Sequence, residues 1–109
     1  MMNEIYDRRS IREYTTENIS DELVEKILKA GMNAPSAMNQ KPYEFIVVRD
    51  KAKLEELSLV KPHSYMVKGS SVTVIIVSNP KSSWWQVDMG AVVQNMLLEA
   101  AHHGIGAVG

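Results

Sequence analysis

The pattern of apolar and polar positions predicts helices separated by two strands. Ser20 followed by Asp21 and Glu22 is an N-cap with acids in the first turn, where they favour the positive end of a helix dipole. Beyond it Leu23, Val24, Ile27, Leu28 and Gly31 gather on one helical face, while Glu25, Lys26 and Lys29 cover the other. Met32-Asn33-Ala34-Pro35 ends this helix, because the residue before a proline is pushed out of the α region. Residues 34–42, bounded by Pro35 and Pro42, read as an ordered loop. Residues 44–49 read as a buried strand, and residues 51–59 as a helix with Leu54 and Leu57 inward, closed by Pro62. A polar connection over 61–71 leads to residues 72–77, whose β-branched run is expected of a central strand covered on both faces. A short helix over 3–8 precedes all of these.

The last helix runs from Trp84 or Trp85 to His103, with Gly104 as its C′ residue. It is nearly apolar all round, interrupted only by Asp88, Gln94, Asn95 and Glu99, so it is expected to be covered on most sides. A chain of 109 residues can hardly do that alone, and Gly90 and Ala91 would admit another backbone. The helix is therefore expected in a homodimer core. After Gly104, Ile105-Gly106-Ala107-Val108-Gly109 looks like the first half of a buried strand.

Composition narrows the function classes. The chain is sized for one domain and is 45% hydrophobic and 23% charged, as a globular protein is. Its formal net charge of −1 provides no global basic field for nucleic acid or an anionic membrane. With no cysteine, disulfides, thiolate metal sites and cysteine nucleophiles are excluded. No apolar run approaches the roughly 18 residues of a membrane span. No secretory leader is expected from the start of the chain, and a cytoplasmic location is the expectation.

Two segments could carry chemistry. Arg8, Arg9, Ser10 and Arg12 place three guanidinium groups and a hydroxyl within five residues, suited to a phosphate because guanidinium forks pair with oxyanions; the same run also reads as a solvated charged turn. In the proline-bounded loop, Ser36, Asn39 and Gln40 supply adaptable donors and acceptors, unless the loop is merely a rigid connection. His102 and His103 diverge by about 100° on a helix and read as dipole partners at its end rather than as metal ligands. Asp88 reads as a dipole partner at the helix start. Trp84 and Trp85 cap the helix or line an interface, and His63 with Tyr65 lies either on the surface or toward a ligand. Glu13, Glu44 and Glu99 form no acid–base dyad, and no metal site is expected.

Four segments taken in order change the picture. Arg8-Arg9-Ser10-Ile11-Arg12-Glu13-Tyr14, the stretch from Ala34-Pro35-Ser36-Ala37-Met38-Asn39-Gln40-Lys41-Pro42 to Val48, Asp88-Met89-Gly90-Ala91-Val92-Val93-Gln94-Asn95 continuing to Ala101, and Gly104-Ile105-Gly106-Ala107-Val108 together resemble the nitroreductase family of flavin enzymes. The resemblance implies an α+β fold, with a mixed, mainly antiparallel sheet flanked by helices and a long apolar helix at a homodimer interface. Residues 1–109 would form a single nitroreductase-like domain lacking the C-terminal part of the family fold. FMN would lie between two chains. Arg8, Arg9, Ser10 and Arg12 match the family segment that holds the FMN phosphate, ribityl chain and pyrimidine side of the ring. Pro35, Ser36, Ala37 and Asn39 match the loop that the partner chain lays against the isoalloxazine.

The activity so implied is hydride transfer from NADH or NADPH through FMN to a small-molecule acceptor, a nitroaromatic, quinone or related compound. The flavin carries the chemistry, so no protein nucleophile is expected. The alternatives are a catalytically silent, truncated dimerisation fragment and a flavin-binding module without turnover. Lys41-Pro42-Tyr43 departs from the Gln-Pro-Trp common in the family, and Gly109 stands where an aromatic usually follows.

Overall fold

A computed structural model describes residues 2–109. Its elements are α1 (Asn3–Asp7), α2 (Asp21–Met32), β1 (Tyr43–Val48), α3 (Lys51–Ser58), β2 (Thr73–Ser78) and α4 (Trp85–His102), with 3-10 turns at Ala37–Asn39 and Pro62–Gly69.

Local chemistry sets the helix ends. Ser20 Oγ accepts from the Leu23 N–H at 3.2 Å to start α2, and Asp50 Oδ1 accepts from the Lys53 N–H at 3.1 Å to start α3. Gly104, at φ 70°, stops α4. There the Gly104 N–H donates to the Ala101 carbonyl and the Ile105 N–H to the Ala100 carbonyl, closing a Schellman motif.

Helix α4 is the centre of the fold. Val92 and Met96, with Ala34, form its buried core; Ile27 and Leu28 of α2 pack from one side, and Tyr43, Phe45, Val74 and Ile76 of the sheet from the other. α2 and α4 approach so closely that a Cβ on Gly31 would lie 2.9 Å from Met96 Cγ and 3.2 Å from Val92 Cγ1. The Asn95 side-chain amide adds a bond to the Ala30 carbonyl at 3.0 Å. β1 and β2 pair antiparallel, from Tyr43 opposite Ser78 to Val48 opposite Thr73. Arg49 ties this sheet to the start of α2, donating to the Ile19 carbonyl at 2.6 Å and pairing with Asp21 at 3.0 Å.

Several expectations are corrected. Neither strand is buried on both faces: Ile46 of β1 is 49% exposed and Val77 of β2 is 46% exposed. The reason is topological, since among the described residues β2 has only β1 beside it and a single face of the pair meets α4. A β-branched run reports strand preference, not two-sided cover. Nor does the chain cover α4 on most sides. Burial follows one stripe, Asp88, Val92, Met96 and Ala100, while Val87 is 65% exposed and the surroundings of Gly90 are open. The polar connection after α3 holds a 3-10 helix over Pro62–Gly69, with Pro62 in its first turn. The final segment makes one parallel bridge, between Ser10 and Ala107, rather than a strand. Among the described residues no helix is long and apolar enough to cross a membrane.

Candidate functional site

The arginine segment follows α1 directly. Arg8 leaves helical geometry, with its N–H on the Glu4 carbonyl, and the chain runs extended past the C-terminal segment. Ser10 bridges Ala107, and the Ile11 N–H donates to the Ala107 carbonyl at 3.0 Å. The segments approach closely at Gly106, where a Cβ would lie 2.9 Å from Ile11 Cγ2 and would force that side chain to shift. These two segments and the end of α4 enclose an open cleft of about 260 Å³, lined by Asp7, Arg8, Arg9, Ile11, Leu97, Ala101 and Gly104 to Ala107, so two guanidinium groups share it with one carboxylate.

The three arginines differ. Arg8 lines the cleft and its Nε is buried with no hydrogen-bond partner. Arg9 is turned back onto α1, its Nη1 donating at 2.8 Å to the carbonyls of both Tyr6 and Arg8. Arg12 is exposed beyond the cleft, within electrostatic reach of Tyr14. Burial raises the Tyr14 phenol above its ordinary pKa; Arg12 opposes that shift and Tyr65 adds to it. Ser10 contributes its backbone to the bridge and leaves its side chain exposed.

The proline-bounded loop is ordered by its own hydrogen bonds. Ser36 Oγ accepts from the Lys41 N–H at 3.0 Å, and the Ser36 carbonyl accepts from the Asn39 N–H at 2.9 Å. Three non-glycine residues sit in the left-handed region, Met38 at φ 54°, Asn39 at 55° and Lys41 at 47°. Such strain costs on the order of 1–3 kcal/mol per residue and collects at functional sites. Met38 is 89% exposed, presented at the tip by that backbone. Pro35 and Asn39 are exposed, and Ser36 and Ala37 half-buried.

Sequence reasoning missed how this loop is held. The Ala37 N–H donates to Asp88 Oδ1 at 3.1 Å, and Asp88 is buried at the start of α4. Its Oδ2 and the nearby Tyr43 Oη are both buried without partners. Burial first, and then the charge of Asp88, holds the Tyr43 phenol above its ordinary pKa. An acid in a first turn signals only a dipole partner; nothing in its spacing marks the Ala37 contact 51 residues away. The two histidines likewise do more than sit at a helix end. His102 Nδ1 meets Glu4 Oε1 at 2.7 Å, joining α1 to α4, while His103 Nε2 lies 3.4 Å from Glu99 Oε1 without hydrogen-bond geometry.

Within one chain the candidate residues form two separate groups. The loop is fixed at Asp88 and the arginine cleft meets α4 at Leu97 and Ala101, nine to thirteen residues further along, so the helical rise puts them about 14–20 Å apart. Arg8 and Arg9 share the cleft; Pro35, Ser36, Ala37 and Asn39 share the loop. His63 and Tyr65 stay exposed on the 3-10 helix.

Comparison with known proteins gives this arrangement a lineage. The nitroreductase family model matches residues 5–66. A provisionally named NADH dehydrogenase/NAD(P)H nitroreductase of Archaeoglobus fulgidus is 45% identical over 95% of this chain and 63% of its own length. A solved protein of the same provisional name from Parabacteroides distasonis superposes with a TM-score of 0.93 at 33% identity, over 97% of this chain and 64% of that one. A provisionally named nitroreductase from Desulfovibrio desulfuricans, solved in complex with FMN, gives a TM-score of 0.84 at 38% identity, over 93% of this chain and 62% of that one. The chain thus spans somewhat over three fifths of the length of these relatives. The α+β architecture is the one they share, and with more than half of its residues matching the family model the chain belongs to the nitroreductase family.

Proposed function

We propose that this chain carries the two halves of an FMN site and works as part of a homodimeric, NAD(P)H-oxidising flavin oxidoreductase. The separation of the arginine cleft from the loop is the observation that carries this reading. With about 14–20 Å of α4 between them, the two groups stand toward opposite ends of the helix in one chain rather than around one ring system. An isologous dimer resolves the distance. If two copies of α4 pack antiparallel along the side that Val87, Gly90 and Gln94 leave open, with the two-fold axis near Gln94, the loop end of one helix meets the arginine end of the other. Each interface then contains two complete sites.

The residues present fit the cofactor's anionic end. Arg8 offers a buried Nε donor with no partner among the described residues, in a cleft also lined by the run from Gly104 to Ala107, where two glycines leave backbone uncovered beside Ile105. Guanidinium donors beside phosphate oxygens make charge-assisted bonds that a neutral site cannot match. In this reading Arg8, Arg9, Ser10 and Arg12 hold the phosphate, ribityl chain and pyrimidine edge, Arg9 chiefly by fixing the end of α1. Pro35, Ser36, Ala37 and Asn39 of the second copy's loop wall the ring face and exclude water from it. Bound FMN supplies hydride transfer from NADH or NADPH to a nitroaromatic, quinone or related acceptor. The protein positions the ring and stabilises negative charge at its pyrimidine side with fixed cations.

The test has two steps. Purified protein is titrated with FMN and its absorbance and flavin fluorescence are followed; saturable uptake is expected, and a preparation that takes up no FMN overturns the proposal. NAD(P)H oxidation with a quinone or nitroaromatic acceptor then separates an enzyme from a flavin binder.

A further inference from the structure

We infer that Asp88 is the positioning residue of the flavin-facing loop, clamping residues 34–42 to the start of α4 through the Ala37 N–H. The inference rests on the flavin reading for its consequence, and on geometry for the clamp itself. The loop's internal bonds, Ser36 to Lys41 and Ser36 to Asn39, shape it without attaching it to the rest of the molecule. Its two ends are fixed by chain continuity with α2 and β1. Between them the loop carries three left-handed non-glycine residues and an exposed Met38, a conformation that persists only where the surroundings hold it.

Three side chains reach the loop from outside among its described hydrogen bonds. Ser78 Oγ donates to the Pro42 carbonyl at 3.1 Å, at the end where the loop already joins β1. Ser82 Oγ meets Gln40 Oε1 at 3.4 Å in the open, at the limit of a hydrogen bond. Asp88 Oδ1 meets the Ala37 N–H at 3.1 Å and is shielded, since Asp88 is only 4% exposed. A dipole partner needs no such burial, since an exposed acid in the first turn already gains about 0.3–1 kcal/mol. Burying this carboxylate, with Oδ2 left unpartnered, is destabilising, so its place is explained by what Oδ1 holds. The clamp also puts loop and dimer helix on one rigid body. A second copy docking along α4 then receives the loop already in place, as preorganised sites require.

Amide hydrogen exchange at Ala37 in the flavin-free full chain reads the clamp, and FMN affinity by fluorescence quenching reads its consequence. Asp88→Ala should speed Ala37 exchange and weaken FMN binding, each by about tenfold or more, the effect of losing one hydrogen bond to a charged acceptor. Asp88→Asn, which keeps an acceptor oxygen, should stay within about threefold of wild type in both. Ala37→Pro removes the donor and keeps the Asp88 carboxylate in the chain, with a ring carbon in the space of the amide hydrogen. Ser36 already has the extended backbone that a following proline requires, at φ −138° and ψ 155°, so the residue before the substitution needs no change. This variant should reproduce the affinity loss, and it decides the matter if Asp88→Ala does not fold. Wild-type exchange at Ala37 in Asp88→Ala, or wild-type FMN affinity in Ala37→Pro, overturns the inference. Failure of the wild-type protein to bind FMN would instead sink the flavin reading, while the exchange rates still decide the clamp.

Discussion

Glu4 Oε1 lies 2.7 Å from His102 Nδ1, so the first helix of the chain is pinned to the last turn of α4 by two residues 98 positions apart. The helix it pins has no buried residue of its own and leads straight into Arg8. The hydrogen bond raises the His102 pKa above its ordinary 6.5, and it lowers that of Glu4 below 4.5. A raised histidine contributes stability that is complete below 6.5 and lost as pH rises through the folded value. A lowered carboxylate contributes stability that is present above 4.5 and lost as pH falls through its folded value. The attachment of α1 is therefore strongest between pH 4.5 and 6.5 and weakens on either side. Protection of the α1 amides, their exchange rate relative to the intrinsic rate at each pH, should be greatest in that window. Glu4→Gln should flatten the loss of protection on the alkaline side; an unchanged protection profile would show that the pair contributes nothing.

Two glycines on neighbouring helices should answer differently to alanine. At Gly31 a methyl gains up to about 1 kcal/mol of helix propensity but meets Met96 and the fully buried Val92, and overpacking costs about 1–3 kcal/mol. Gly31→Ala should therefore lower stability in urea unfolding. Gly90 has nothing within 4 Å in the chain itself, so a larger side chain there, as in Gly90→Leu, meets only whatever covers α4 from outside. Sedimentation should show Gly90→Leu shifting the protein toward monomer. Wild-type self-association in that variant would place the dimer contact elsewhere.

The arginines should separate in FMN affinity. Arg8→Ala and Arg12→Ala should each weaken binding by about 1.5–3 kcal/mol, the range for a lost charge-assisted contact. Arg9→Ala should weaken it less and loosen α1 more, because its Nη1 is spent on the Tyr6 and Arg8 carbonyls. Titration of the three variants checks the order, and equal losses would mean that Arg9 reaches the ligand after all.

What could be read in the sequence was mostly local. Ser20 as a cap, the apolar face from Leu23 to Gly31, the start of α3 after Asp50 and Gly104 as the stop of α4 follow from short-range rules that tertiary contacts do not override. The arginine run and the proline-bounded loop were equally visible as candidates. Burial was harder to read, because Val74 and Val77 look alike in a β-branched run although one faces α4 and the other solvent. Contacts between distant segments were invisible: Asp88 with Ala37 and Glu4 with His102 depend on how helices cross, and residue type alone carries no sign of them. The 3-10 helix at Pro62–Gly69 was obscured by its mixed, largely polar sequence.

The central claim is that one flavin site is built from the arginine end of one chain and the loop of another. The direct measurement is FMN binding to a mixture of two defective proteins, Arg8→Ala/Arg12→Ala and Ser36→Ala/Asn39→Ala, unfolded together and refolded. Each alone should bind poorly. In the mixed dimer one site receives both mutated halves and the other receives two intact ones, so random pairing should restore wild-type affinity at about a quarter of all sites. A mixture that binds no better than its two components would contradict a site shared between chains.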